Sequence, residues 1–315
     1  MKVTVLDDYQ RVALQSADWS GVTARAEIAV VDHHLDGEKL VEALAGSEVI
    51  VLMRERTAVP ATLLDRLPAL RLIVTTGPFN AAIDVGAAIE RGITVCGTGG
   101  DVQPTVELTW ALILGLARWV AAEDAALRTG AWQTSVGTGL SGKTLGIVGL
   151  GRIGRRVARI ATAFRMETVA WSQHLDPEVA VARGVKPVTK AELFASADVV
   201  SIHLVLSARS RGLIGRAELE AMRPTALLVN TSRGPIVDED ALAEALTQGR
   251  IAGAALDVYG TEPLPAASPL RSAPRTLLTP HIGYVTSDSY SQFYGEVVQD
   301  IVAFWDGSPI RVIEP

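Results

Sequence analysis

Leu145-Gly146-Ile147-Val148 runs directly into Gly149-Leu150-Gly151-Arg152-Ile153-Gly154. A short apolar run of strand length thus meets a G-x-G-x-x-G turn. Behind the turn, Ile153, Val157, Ile160, Ala161 and Phe164 hold helical spacing. Strand, glycine turn and helix in that order give an anion a place to sit. Gly149 allows the tight turn, Gly151 lets a pyrophosphate approach the backbone, and Gly154 lets the helix pack closely on the strand. The exposed amides and the positive end of the helix supply the charge complement. The segment predicts a dinucleotide-binding α/β domain.

Outward from that turn the pattern repeats. Residues 168–171, 199–204, 226–230, 253–257 and 276–278 are further apolar runs, six in all with 145–148. Helical spacing separates them, which predicts a doubly wound parallel sheet of the Rossmann type. Upstream, residues 3–6, 28–31, 49–52, 72–74 and 93–96 alternate with helical stretches such as 37–45 and 61–67. Continuous apolar strands with helices between them imply a second parallel sheet covered on both faces. Gly97-Thr98-Gly99-Gly100 breaks the rhythm, Pro104 opens a helical pattern to about Thr129, and residues 287–305 close the chain as a helix. The expected fold class is α/β, with two doubly wound parallel-sheet domains.

Composition narrows the class. Of 315 residues, 48% are hydrophobic and 20% charged, which excludes disorder and demands large buried cores. Thirty-five acidic against 29 basic residues leave a net charge of −6 with no charged tail, which argues against nucleic-acid or membrane-surface partners. The single Cys96 cannot form an internal disulfide, and no Cys/His cluster has zinc spacing, so no metal is expected. Asp7 and Asp8 interrupt the amino terminus before a signal-peptide core, and the apolar run 110–117 stops at Arg118. A membrane span needs about 20 residues. A soluble, cytoplasmic protein is expected.

The second strand of a dinucleotide domain ends with an acid when the adenosine ribose carries a free 2′-hydroxyl. Here Thr168-Val169-Ala170-Trp171 is followed by Ser172, Gln173 and His174, and Asp176 arrives only later. The missing acid removes repulsion against a 2′-phosphate and tilts the reading from NAD towards NADP. The alternative is that Ser172 and Gln173 simply bind ribose hydroxyls, since no arginine stands there to clamp a phosphate.

Four segments carry a resemblance. They are Val148-Gly149-Leu150-Gly151-Arg152-Ile153-Gly154, Asn230-Thr231-Ser232-Arg233-Gly234, Asp257-Val258-Tyr259-Gly260-Thr261-Glu262-Pro263 and Thr279-Pro280-His281-Ile282-Gly283. In this order the chain resembles the D-isomer-specific 2-hydroxyacid dehydrogenases, which include phosphoglycerate, glycerate and D-lactate dehydrogenases. The resemblance implies a flavodoxin-like substrate domain over 1–100 plus 285–315 and a Rossmann cofactor domain over 101–284. It places Arg152 and Ile153 at the pyrophosphate, Leu204 and Val205 on the adenine side, and Thr231 and Asp257 near the nicotinamide. The usual proline at position 205 is Val205. Asp257 could instead simply cap a turn at its strand end.

The chemistry points the same way. Reducing a 2-oxo acid requires a cation for its carboxylate, a proton donor for the developing alkoxide, and a hydride source. Arg233 offers the bidentate fork. His281 is the candidate proton donor, and Glu262 can accept from its far ring nitrogen and fix its tautomer. All three follow strand ends, where open α/β sheets bind ligands. An exposed salt bridge for Arg233, a turn for Glu262 and a structural hydrogen bond for His281 are the plainer alternatives.

The family's loop after the fourth strand offers consecutive amides to the substrate carboxylate. Here it reads Thr75-Thr76-Gly77-Pro78-Phe79-Asn80, and Pro78 has no N–H. Gly77, Phe79 and Asn80 are the expected substrate-binding positions, with Phe79 either lining the site or packing in the core. Trp110, Leu114 and Trp119 are expected to form a homodimer seam on the cofactor domain, or else to be core. His33 and His34 read as solvated loop residues and Cys96 as an inert buried thiol. Two rivals remain. Formate-type enzymes carry Gln where Glu262 stands. A cofactor-sensing binding protein of the corepressor type shares the fold and can keep all three site residues.

Overall fold

The computed structural model describes residues 1–314; Pro315, the last residue of the expected substrate domain, lies outside them. The chain forms two compact units, Met1–Asp101 with Val285–Pro315, and Val102–Tyr284.

In the first unit, β1 (Lys2–Val5), β2 (Glu27–Val30), β3 (Val49–Leu52), β4 (Leu72–Thr75) and β5 (Thr94–Gly97) form a parallel sheet. Its order, β2-β1-β3-β4-β5, is the flavodoxin-like one. Central strands β3 and β4 are buried at every residue, which is why they read as unbroken apolar runs. Leu40 and Leu44 from the helix Gly37–Leu44 pack with Ile50, Leu52 and Ile73 on one side. The helix Ser287–Trp305 buries Tyr290, Phe293, Tyr294, Val297 and Ile301. Cys96 is buried among these elements, as expected, and burial pushes its thiol up to about 12, away from the thiolate form.

The second unit holds seven parallel strands: β6 (Thr144–Val148), β7 (Glu167–Trp171), β8 (Lys186–Pro187), β9 (Val199–Ile202), β10 (Leu227–Asn230), β11 (Gly253–Leu256) and β12 (Thr276–Leu278). Their order is β12-β11-β10-β9-β6-β7-β8, the Rossmann arrangement with one more strand beyond β11. The sequence shows six of them. The seventh, β8, is a two-residue edge strand ending in Pro187, too short to leave an apolar run. Two hydrophobic clusters cover the sheet, one including Val200, Leu228 and Ala254, the other Ile147, Val229 and Ala255.

The long helical pattern after Pro104 is two helices, Gln103–Ala117 and Val120–Arg128, bent by 60°. Trp119, at φ 56°, turns the chain, and the Thr138 amide takes the Ala117 carbonyl that a continuing helix would have used. The expected dimer seam is corrected here. Trp110 is core, stacked on Phe164 with its indole N–H on the Val157 carbonyl, and Leu114 and Trp119 pack against the same cluster. Among the described residues no single helix is long and apolar enough to cross a membrane.

Candidate active site

The glycine turn has the shape its sequence implies. Gly149 sits at φ 103°, and a Cβ there would fall 2.7 Å from the His203 carbonyl oxygen at the end of β9. A Cβ on Gly154 would lie 2.2 Å from the Gly149 oxygen, so the helix Arg152–Ala161 can start this close to β6 only with glycine. Gly151, at the helix N-cap, would point a Cβ into open space and caps nothing with a side chain. No side chain caps the first-turn amides of Arg152, Ile153 and Gly154, which leaves the helix start available to an anion. This cradle fits a dinucleotide pyrophosphate.

At the same edge of the sheet, beyond β9, lie the carboxyl ends of β10, β11 and β12. Asp257 follows β11 and is buried. Its Oδ1 accepts from the Thr279 hydroxyl at 2.6 Å and the Ile282 amide at 2.8 Å, and its Oδ2 from the Gly283 amide at 2.9 Å. Burial pushes the Asp257 carboxyl above its ordinary range, against those hydrogen bonds and the nearby His281, which favour the charged form. The three bonds brace residues 279–283, in which His281 takes a left-handed φ of 54°. A non-glycine residue holds that conformation only when its surroundings fix it. The Tyr259 hydroxyl ties the same loop down, facing the carbonyls of Leu256 at 3.1 Å and Thr279 at 2.9 Å.

Glu262 is held in turn: its Oε1 accepts from the Tyr259 amide at 2.9 Å. Its Oε2 lies 2.5 Å from Nδ1 of His281. The pair is partly buried, with His281 17% and Glu262 25% exposed at the side chain. The Nε2 of His281 makes no hydrogen bond among the described residues. The neighbouring Glu239 carboxyl accepts from the Gly260 amide, and burial shifts it upward.

Arg233 follows β10 in a loop clamped by Asn230, whose amide donates to the Arg233 carbonyl at 3.0 Å while its Oδ1 accepts from the Ser232 amide at 3.0 Å. The guanidinium is half-buried and donates to the Ser232 carbonyl at 2.8 Å. The next residue, Gly234, presses on the backbone of Tyr259: a Cβ there would be 1.9 Å from the Tyr259 carbonyl carbon. Gly234 thus joins the Arg233 loop to the loop that carries Glu262, and Glu262 reaches His281. The three candidate catalytic residues lie on one connected set of loops.

The remaining expected cofactor positions sit on the same sheet edge. Thr231 is buried and donates to the Thr109 hydroxyl at 2.8 Å, since Thr109 spends its own proton on the Thr105 carbonyl. The Leu204 carbonyl accepts from the Ser232 hydroxyl, and Val205 stands 76% exposed. Ser172 is half-buried after β7, while Gln173 and His174 are exposed. Asp176, the first acid beyond them, caps the helix Pro177–Val181 through the amides of Glu178 and Val179.

In the first unit, the loop after β4 differs from expectation. The Gly77 amide donates to the Thr98 hydroxyl at 2.7 Å, so it is already spent. The Asn80 side chain is also spent, donating to the Arg54 carbonyl and the Thr75 hydroxyl and accepting from the Ala82 amide. The backbone amides of Phe79 and Asn80 have no partner among the described residues. Phe79 is 50% exposed and is not core. The Arg54 guanidinium crosses this loop, 1.8 Å from where a Gly77 Cβ would stand. The sequence reading missed Arg54, although Arg54-Glu55-Arg56 directly beyond a strand end was a legible signal. His34 also differs: its ring is half-buried 3.9 Å from the buried Asp7, while His33 is exposed beside Asp32.

A seven-stranded parallel sheet with a glycine-cradled helix start and a braced Glu–His pair beyond its strand ends defines a dinucleotide-binding α/β protein of the dehydrogenase type. Residues 110–283 match the family described as D-isomer specific 2-hydroxyacid dehydrogenase, NAD binding domain. The chain belongs to that family. It is 38% identical over 278 residues to a glyoxylate reductase of Aeropyrum pernix, covering 85% of this chain and 82% of that one. It is 34% identical over 314 residues to a D-3-phosphoglycerate dehydrogenase of Archaeoglobus fulgidus, covering 99% of this chain but only 58% of that longer protein. The crystal structure of a phosphoglycerate oxidoreductase from Vibrio cholerae superposes with a TM-score of 0.92 at 37% identity, covering 98% of this chain and 100% of the other.

Proposed function

We propose that the chain interconverts a 2-oxo acid and the corresponding D-2-hydroxy acid with NAD(H) or NADP(H). The observation that carries this reading is the Glu262–His281 pair, closed at 2.5 Å on Nδ1 with Nε2 left open. When bound, the dinucleotide supplies the hydride, or accepts it in the reverse direction. The amides of Gly151, Arg152, Ile153 and Gly154 and the turn at Gly149 would hold its pyrophosphate. Ser172, Gln173 and His174 would meet the adenosine ribose, and Leu204 and Val205 the adenine. Thr231 and Asp257 would stand towards the nicotinamide, Asp257 with acceptor capacity left beyond its three protein bonds.

His281 holds a proton at Nε2 and delivers it to the alkoxide oxygen as that charge develops. The Glu262 carboxylate stabilises the positive ring and fixes Nδ1 as the inward donor. Arg233 orients the substrate carboxylate through its planar fork and polarises the adjacent carbonyl. In the first unit, the open amides of Phe79 and Asn80 are the remaining candidates for carboxylate donors, with Gly77 serving as the turn that admits Arg54. Relatives named glyoxylate reductase and D-3-phosphoglycerate dehydrogenase make short 2-oxo acids the first substrates to test.

The second unit also offers an apolar surface for a second copy of the chain: Val120, Leu127, Trp132 and Val136 are exposed, Trp132 by 77%. A cytoplasmic homodimer is the proposed form. The testing experiment is NADH and NADPH oxidation with glyoxylate, hydroxypyruvate, pyruvate and phenylpyruvate. Turnover of at least one is expected. Tight nucleotide binding with no turnover across the panel would overturn the enzyme in favour of a cofactor sensor.

A further inference from the structure

The end of β7 is where dinucleotide folds read the adenosine ribose, through an acid for a free 2′-hydroxyl or an arginine for a 2′-phosphate. This chain has no acid to offer there. Ser172, Gln173 and His174 follow the strand, and Asp176 is committed to its own helix. The local sequence holds no arginine either, but the fold brings one. Arg209, from the loop after β9, donates from Nη1 to Nε2 of His174 at 3.3 Å across 35 residues of chain.

That loop is built to hold its tip. The Ser207 amide donates to the buried Ser210 hydroxyl at 2.8 Å, that hydroxyl donates to the Val205 carbonyl at 2.7 Å, and the Arg211 amide returns to the Ser207 carbonyl at 3.0 Å. Arg209 stands at the exposed crest between these ties. Its guanidinium meets no carboxylate among the described residues; its side-chain partner is the His174 imidazole nitrogen. A cation beside a histidine, with Ser172 two residues before that histidine and no carboxylate partner among the described residues, is a complement for a doubly charged phosphate.

We infer that Arg209, with His174 and Ser172, forms a 2′-phosphate clamp that makes this chain select NADP(H) over NAD(H). The inference rests on the dinucleotide reading of the glycine turn and adds the residue that sets its specificity. The guanidinium turns from the imidazole onto the phosphate oxygens, a charge-assisted contact that a ribose hydroxyl does not reproduce.

The test is calorimetric titration of the full chain with 2′,5′-ADP and with 5′-AMP, alongside kcat/KM for NADPH and NADH. Wild type should bind 2′,5′-ADP at least about 10-fold more tightly than 5′-AMP. Arg209→Ala, an exposed position, should lose about 10- to 100-fold in 2′,5′-ADP affinity and in NADPH kcat/KM, with 5′-AMP and NADH unchanged. Arg209→Lys should recover part of the loss. Equal binding of the two nucleotides by wild type, or an Arg209→Ala variant that keeps the preference, overturns the clamp while leaving 2-oxo acid reduction with NADH intact. Failure to bind either nucleotide overturns the dinucleotide reading and the clamp with it.

Discussion

Gly234 makes the connection between the Arg233 loop and the Glu262 loop quantitative. A methyl group added there would sit 1.9 Å from the Tyr259 carbonyl carbon, 2.2 Å from its oxygen and 2.4 Å from its Cα. All three are backbone atoms, so no side chain can swing aside. Carbon atoms rest at roughly 3.5 Å or more, and the two loops must therefore part by about 1.5 Å in Gly234→Ala. A misplacement of about 1 Å in a catalytic group can cost about 100-fold. Gly234→Ala should thus lower kcat/KM for the 2-oxo acid by at least about 100-fold. Overpacking should remove about 1–3 kcal/mol of stability. The glycine turn at 149–154 is remote in sequence from Gly234, but Thr231 and Asp257 sit on the loops that part, so dinucleotide affinity should fall by no more than about tenfold, the 1.4 kcal/mol step, and so by less than kcat/KM. The assay is steady-state reduction paired with fluorescence titration of the dinucleotide and a thermal melt. Gly295→Ala, on a helix with nothing within 4 Å of the added carbon, is the control and should be stabilising or neutral. A Gly234→Ala enzyme with wild-type kcat/KM would refute the idea that this packing positions Arg233.

Asp257→Asn replaces an acceptor with a donor opposite the Ile282 or Gly283 amide, so the His281 turn loses at least one charge-assisted bond worth about 1.5–3 kcal/mol. kcat should fall, while 5′-AMP, which carries no nicotinamide, should bind as in wild type; unchanged kcat, with the fold intact by circular dichroism, would remove Asp257 from the positioning of His281. Asp300 gives a pH-dependent stability. It is fully buried, Arg311 meets only its Oδ1, and burial pushes it up to about 7. The folded state therefore holds a proton that the unfolded state has released between about pH 4 and 7, and stability falls as pH rises through that window. Asp300→Asn should flatten this slope and stabilise the protein by about 2–4 kcal/mol at pH 8. Urea unfolding at pH 5 and pH 8 reads it, and an unchanged slope would contradict the assignment. Trp132→Glu should shift sedimentation from dimer to monomer; an unaltered dimer would move the interface away from the exposed apolar surface.

Much of the fold was legible because parallel strands buried on both faces leave unbroken apolar runs, as at Val199–Ile202 and Leu227–Asn230. The glycine turn was legible because each glycine answers a distinct steric demand. What escaped was set by contacts distant in sequence or too brief to leave a pattern. The edge strand Lys186–Pro187 is too short for periodicity. The break at Trp119 depends on Thr138 returning to the Ala117 carbonyl, which no local signal announces. Arg209 could not be placed beside His174 without the crossover that folds β9 next to β6. The Gly77 amide looked available from its loop, but Thr98 had already engaged it.

The most direct measurement of the central claim is turnover by His281→Ala set against its dinucleotide affinity. Loss of proton donation should lower kcat for 2-oxo acid reduction by about 100- to 10,000-fold, while fluorescence titration shows the dinucleotide bound as in wild type. Turnover within a few-fold of wild type would contradict the account, because the imidazole that Glu262 holds would then carry no proton the reaction needs.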